Sequence, residues 1–439
     1  MTESRLVLRI FTRAFIVLVL SVPLIILLLA LQTNAIIAPG PTLTAEEVRR
    51  IESLIVDNAP TDLETTSLQT LSLSEAELNL LIRYSLELLD LNEIIGGQVM
   101  LADQGLKAQL SAPLWRPQVP LWLNLGADFS NQSKSLDLNS LQLGSMNIPA
   151  NLVAELLEHI RQAYLVNNPA YDDLQQLASS VQSIEIQDGR LQLDLLWEPA
   201  LIARISDQAR YYMISSDDQL RIKQHYQLLH EVLAAVPEST RAISLNTLLV
   251  PLFAAAEQRT GDAFDPVAEN RTLFLTLAMY VNEEDVERLL GSTVAADLPR
   301  ARQIEVRVQR RQDLAQHIVS SAAITAYAGS GFAEILSTTK EAYDARYRSG
   351  YSFSDLTANA VGVALGRAAT ESPDSARIMQ QRLARLTDES EYLPQVGNNQ
   401  DGISEADFNT LYRDNATEYQ QRLNEIETLV YAKPLFAER

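Results

Sequence analysis

The stretch Ala14–Gln32 (AFIVLVLSVPLIILLLALQ) holds no charged residue over 19 positions, and it constrains the chain more than any other feature. At about 1.5 Å rise per residue, a helix of that length nearly matches a hydrocarbon core of about 30 Å. The spacing predicts a transmembrane helix over residues 14–32. Arg5, Arg9 and Arg13 precede it, whereas the first charges that follow are Glu46 and Glu47. The positive-inside rule therefore leaves residues 1–13 as a cytoplasmic tail and exports the remainder. Pro23 lies mid-span, where local adjustment can satisfy the carbonyl it frees. The competing reading is a cleaved signal peptide, whose apolar region runs about 7–15 residues and ends at a small-residue site. Thr33-Asn34-Ala35 is a poor site of that kind, which favours an uncleaved signal-anchor.

Charge narrows the partners. Removing residues 1–33 takes three arginines and one glutamate from totals of 35 basic and 56 acidic residues, leaving 32 and 55, or −23. Such a domain has no concentrated positive charge to neutralise phosphates, so no nucleic acid is expected as a partner. It is also repelled by anionic lipid surfaces, so attachment to the inner membrane rests on residues 14–32. The absence of cysteine excludes disulfides, cysteine–zinc sites, iron–sulfur clusters, thiol nucleophiles and a lipidated N-terminal cysteine. With 47% hydrophobic and 21% charged residues, the composition suits a folded protein of two or three domains.

Beyond the anchor, Pro39-Gly40-Pro41 breaks the chain, a short helix is predicted from Thr44 to Val56, and residues 59–67 read as a linker. Residues 33–69 form this helix-and-linker region. From Leu71 to Trp197 the pattern has period two: Leu121, Leu123, Leu125, Ala127 and Phe129 alternate with Trp122, Asn124, Gly126 and Asp128. That alternation predicts half-buried strands, with Asp188-Gly189 as a hairpin turn. Two helices interrupt them. One spans Ser74 to Leu91 with Ser74 and Glu77 as a capping box, and the other starts after Pro149. Residues 70–200 are thus expected to be an α+β domain with an antiparallel sheet.

The motif LSLSEAELNLLI, followed by strands and SLDLNSLQLGSMNIP, resembles YpmS-type membrane-anchored proteins, which in turn look similar to tubular lipid-binding domains. The resemblance covers residues 70–200 and implies lipid binding by the sheet. Period-two leucines alone fit a plain scaffold equally well.

From Ile205 the apolar spacing becomes helical, as in Tyr226, Leu229, Val232, Leu233 and Val236, and residues 205–439 are expected to form a mainly α-helical domain of about ten helices. No internal repeat appears, so a solenoid is not supported. Among four histidines, His225 and His230 are five apart and are expected at the surface or its boundary, without an HExxH motif. His317 differs, because it sits on a small, apolar helix with Ser320 and Ser321 on its face. The following segments add Lys340, Glu341 and Asp344, then Ser352 or Ser354 near a cap, Asp355 and Asn359. Ala358, Gly362 and Gly366 make a small-residue ridge at four-residue spacing that lets another helix approach closely.

This run, from His317 through Glu341 to Asp355, Asn359 and Gly362, resembles YfiM-type envelope lipoproteins and, more distantly, VanZ-like proteins. By matching position those five residues carry over, although the lipidated cysteine is missing and Asp313 only loosely echoes the charges before the histidine. Residues 220–439 also look like a family of uncharacterised proteobacterial membrane-anchored proteins. Physically, His317 with Glu341 and Asp355 could hold a divalent metal or act as an acid–base pair, and Asn359, Lys340 and Asp344 complete the candidate cluster. The alternative is a satisfied polar network that keeps helices in register. Neither a cofactor nor a particular metal can be named from the residues.

Two look-alikes fail. In the loop around Asp401-Gly402, calcium numbering puts Gly397 at position one and Phe408 at position twelve, neither a ligand. Gly329-Ser330-Gly331 follows no strand, so it is no phosphate loop. The sequence therefore suggests a single-pass inner-membrane protein with a periplasmic binding or scaffold role, toward a lipid or an envelope protein. The rival expectation is a metal-assisted or acid–base hydrolase of lipid or peptidoglycan.

Overall fold

The computed structural model describes residues 29–88, 91–102, 104–115, 121–132, 135–165, 169–205, 214–260, 264–328, 350–396, 401–413 and 416–437. It is α+β, with antiparallel sheets and many helices, and divides into two units. One comprises Met1–Leu54 with Asn58–Leu201; the other comprises Ile55–Asp57 with Ile202–Arg439. Residues 14–28 of the expected anchor lie outside the described part. At its far boundary, Leu31–Gln32 form strand β1 rather than the end of a helix, because their backbone pairs with Leu123 and Trp122. Among the described residues no helix is long and apolar enough to cross a membrane.

Helix α1 (Ala45–Asn58) follows β1, and Thr44 and Glu47 cap each other reciprocally at its start. Strand β2 (Ser67–Ser74) leads into α2 (Glu75–Leu88), and the Ser74–Glu77 capping box forms as its spacing predicts. An antiparallel meander follows: β3 (Gly96–Ala102), β4 (Gly105–Trp115), β5 (Leu121–Gln132), β6 (Ser135–Leu143) and β7 (Met146–Pro149). The open edge of β3 is closed by α2, since the Asn79 amide both accepts from the Val99 N–H and donates to the Val99 carbonyl, each at 2.7 Å.

Helices α3 (Ala150–Ile160) and α4 (Pro169–Ser180) precede a hairpin of β8 (Val181–Gln187) and β9 (Arg190–Trp197), which pairs with β2 in a second sheet. Asp188 and Gly189 take φ of 52° and 71°, the left-handed pair that a two-residue hairpin turn requires. On the polar face of this sheet Asp194 accepts hydrogen bonds from Thr70 and Ser183, both at 2.6 Å.

The second unit is helical. Its centre is α7 (Pro266–Val281), which contacts α5 (Ser216–Ala234), α6 (Asn246–Arg259), α9 (Gln312–Ala328), α10 (Phe353–Thr370) and α11 (Pro373–Leu383). Helix α8 (Val286–Ala295) precedes α9, and α12 (Glu405–Phe408) and α13 (Ala416–Tyr431) close the chain. Two short parallel strands, β10 (Ala242–Ser244) and β11 (Glu305–Arg307), pair Ile243 with Val306. Both clusters of buried apolar side chains in the described residues belong to this unit.

Candidate functional site

The helical cluster is built on one seam. Asp355, Asn359, Gly362 and Gly366 recur along one face of α10, opposite His317, Ser321 and Thr325 on α9. A Cβ placed on Gly362 would lie 2.3 Å from the Ile318 carbonyl oxygen, and one on Gly366 would lie 2.6 Å from that of Ala322. The glycines therefore let the two backbones touch, and this contact brings the polar residues above them together.

At the polar end, His317 Nδ1 stands 2.9 Å from Asn359 Oδ1 and Nε2 stands 3.4 Å from Asp355 Oδ2. The Ser321 hydroxyl donates to the same Asn359 oxygen at 2.9 Å, while Asn359 Nδ2 is buried without a partner. Ser320 diverges and accepts instead from Asn282 at 2.9 Å. Ser321 thus donates to an amide rather than to the imidazole, and among the described residues no serine–histidine hydrogen bond of the kind that activates a nucleophile forms at His317. Lys340, Glu341 and Asp344 lie outside the described residues. Among the described ones, no three His, Asp or Glu side chains are grouped to hold a metal ion.

Two members escaped sequence reasoning. Arg311 meets Asp313 at 2.6 Å, Asp401 at 2.9 Å and Asp355 at 3.3 Å. Asp401 accepts from the Ser352 hydroxyl at 2.9 Å and from the Ser354 N–H at 3.2 Å, while Ser352 caps α10 through the Asp355 N–H. Burial alone would raise the Asp401 carboxyl, but hydrogen bonds from Ser352, Ser354 and Arg311 hold it below its usual range. The Asp401 loop thus serves the start of α10 as a second cap. The only sequence signal was an acidic residue before a glycine, with nothing to name its partner.

His225 departs from expectation. It is fully buried rather than at the surface, because the face of α5 that carries it turns toward α7. Arg259 donates to its Nδ1 at 3.0 Å, so Nε2 carries the proton and points to Thr272 Oγ1 at 3.2 Å. Arg259 in turn pairs with buried Glu269. Burial, and secondarily the Arg259 charge, push the His225 pKa down to about 3. The unfolded chain protonates near pH 6.5 and the folded one does not, so stability is complete above pH 6.5 and is lost as pH falls toward 3. Urea unfolding at pH 5 should show the helical unit about 2 kcal/mol less stable than at pH 7. His225→Gln should remove most of that difference, and an unchanged pH slope in the variant would count against this assignment.

The α+β unit offers a different surface. The meander register aligns Leu106 with Phe129, Leu110 with Leu125, Leu125 with Leu143 and Ala127 with Leu141, so one face is apolar from β3 to β7. Helix α2 covers only its β3 margin, where Ile82 and Leu86 lie against Gly97. None of these leucines is buried, and Leu110 and Leu114 are 37% and 56% exposed. The opposite, polar face is the better covered one at Asn124, which is 1% exposed. The segment 34–37 crosses it: Asn124 donates to the Asn34 carbonyl at 2.9 Å, and the Ile36 and Ile37 N–H groups donate to Ser111 Oγ. The leucine face is consequently partly exposed, most of all at Leu110 and Leu114.

Comparison with family models, curated proteins and solved structures finds no match, so no family assignment follows.

Proposed function

We propose that the protein is a single-pass inner-membrane protein with its N-terminus cytoplasmic and the rest periplasmic, and that its α+β unit binds the acyl portion of a lipid. The partly exposed leucine face of β3–β7, open at Leu110 and Leu114, is the observation that carries this reading. Apolar area left in water is unfavourable at about 25 cal/mol per Å², and exposed apolar patches can mark ligand or membrane contacts. The charge-free stretch 14–32 supplies the second support, since it would keep the unit beside a bilayer, where the ligand is abundant. In this reading the His317 cluster fixes helix register in the other unit. The acid–base or metal-assisted hydrolase reading stands second, and it depends on Glu341.

The test uses full-length chain freed of co-purified lipid and an environment-sensitive fluorescent acyl probe. Saturable binding is expected, with affinity falling at least about tenfold in Leu125→Gln/Leu141→Gln, a loss of about 1.4 kcal/mol. His317→Ala should bind as the wild type does. Absence of saturable binding, or equal binding by the leucine variant, would contradict the proposal.

A further inference from the structure

Helix α3 turns an apolar face to solvent. Leu152, Leu156, Leu157 and Ile160 are 51%, 59%, 58% and 40% exposed. With Val153, the one buried residue of the helix, they occupy an arc of about 140° at 100° per residue. Asn151, Glu155, Glu158 and His159 fill the other side. Helix α3 packs beside β6 and β7, so a single valine is buried while four large side chains stay about half exposed.

The place where the apolar N-terminal segment enters the unit supplies an independent observation. The Leu29 carbonyl accepts from the Ser145 N–H at 2.9 Å and from the Ser145 hydroxyl at 3.0 Å. Two residues later the chain is already in β1, so no linker separates the charge-free stretch from the folded unit. Ser145 lies in the turn between β6 and β7, and only Met146–Pro149 separates it from α3. At about 3.4 Å per strand residue, the helix begins within roughly 17 Å of that entry point. A membrane anchor ending at Leu29 would therefore hold the exposed stripe at the height of the lipid interface.

We propose that α3 lies in the periplasmic interface of the bilayer that anchors the chain, with Leu152, Leu156, Leu157 and Ile160 inserted among the acyl chains. The inference rests on the anchoring proposed above. The short connection supplies a high effective concentration, so the helix needs little affinity of its own. Its polar side carries two glutamates and no lysine or arginine, so insertion is driven by apolar area and not by attraction to anionic lipid.

Because the chain has no cysteine, single labels can be placed cleanly. Leu156→Cys, Glu158→Cys and Leu20→Cys would each be made in the full chain, labelled with an environment-sensitive fluorophore and reconstituted in phosphatidylcholine nanodiscs. Lipids with a doxyl quencher near the headgroup should quench the label at position 156 about threefold more than that at 158, equally at low and high salt. Quenchers deep in the bilayer should quench the label at position 20, which reports the anchor by itself. If the label at 20 is quenched while that at 156 matches 158, the α3 inference fails and the anchoring stands. If the label at 20 is not quenched, the anchoring fails and the inference falls with it. A label at 156 that is shielded from water yet unquenched by lipid would reveal a protein cover, such as a second copy, and would also overturn the proposal.

Discussion

Gly362→Ala should lower the stability of the helical unit by about 3 kcal/mol, read from the urea midpoint of the full chain. The new methyl would meet the Ile318 carbonyl oxygen, Ser321 Cβ and Ala322 N, at 2.3, 2.7 and 3.0 Å. Two of these are backbone atoms, so no rotamer change can relieve the overlap and α9 must move away from α10. Asn359 sits one turn before Gly362, so the same movement pulls its amide from His317 and Ser321. Gly362→Val should cost more, whereas Ala360→Ser, off the seam, should cost less than about 1 kcal/mol. A Gly362→Ala variant as stable as wild type would show that the helices do not touch there.

Glu269→Ala should cost a similar amount, about 3 kcal/mol, for an electrostatic reason. Glu269 is 3% exposed and pairs with Arg259, which also donates to the buried His225 ring. Deleting the carboxylate leaves a guanidinium facing a neutral imidazole with no counter-charge, the situation in which a broken buried pair costs about 3–5 kcal/mol. The Arg259 side chain is 30% exposed and can turn partly toward water, which places the effect at the lower end. Glu269→Gln keeps an acceptor and should lose less. Equal losses for alanine and glutamine, or none for either, would contradict the pairing as the source of stability.

What the sequence disclosed was local or periodic. The Ser74–Glu77 box, the Asp188-Gly189 turn and the Ser352 cap are decided within four residues, and the Gly362–Gly366 ridge follows from helical spacing alone. The partners of Arg311 are different: Asp355 and Asp401 lie 44 and 90 positions away, and only the packing of α10 against α9 brings them together. His225 was misread for a related reason. Five-residue spacing to His230 says that the two diverge, but it does not say which of their faces meets α7. The same limit applies in the α+β unit, where alternation assigns Leu125 and Leu141 to one face without revealing whether anything covers it. Asn124, on the polar side, became buried because residues 34–37 fold back across it, an event with no periodic signature. At the candidate site Asn359, His317 and Asp355 do meet, while Glu341 lies outside the described residues.

The central claim is that the leucine face of the α+β unit holds lipid. Native mass spectrometry of the full chain, released from membranes in mild detergent, tests it most directly. The account predicts a lipid-mass adduct on the wild type and on His317→Ala, and its loss from Leu125→Gln/Leu141→Gln with the fold retained. A wild-type chain that carries no lipid after added phospholipid has been offered, or a leucine variant that keeps the adduct, would contradict it.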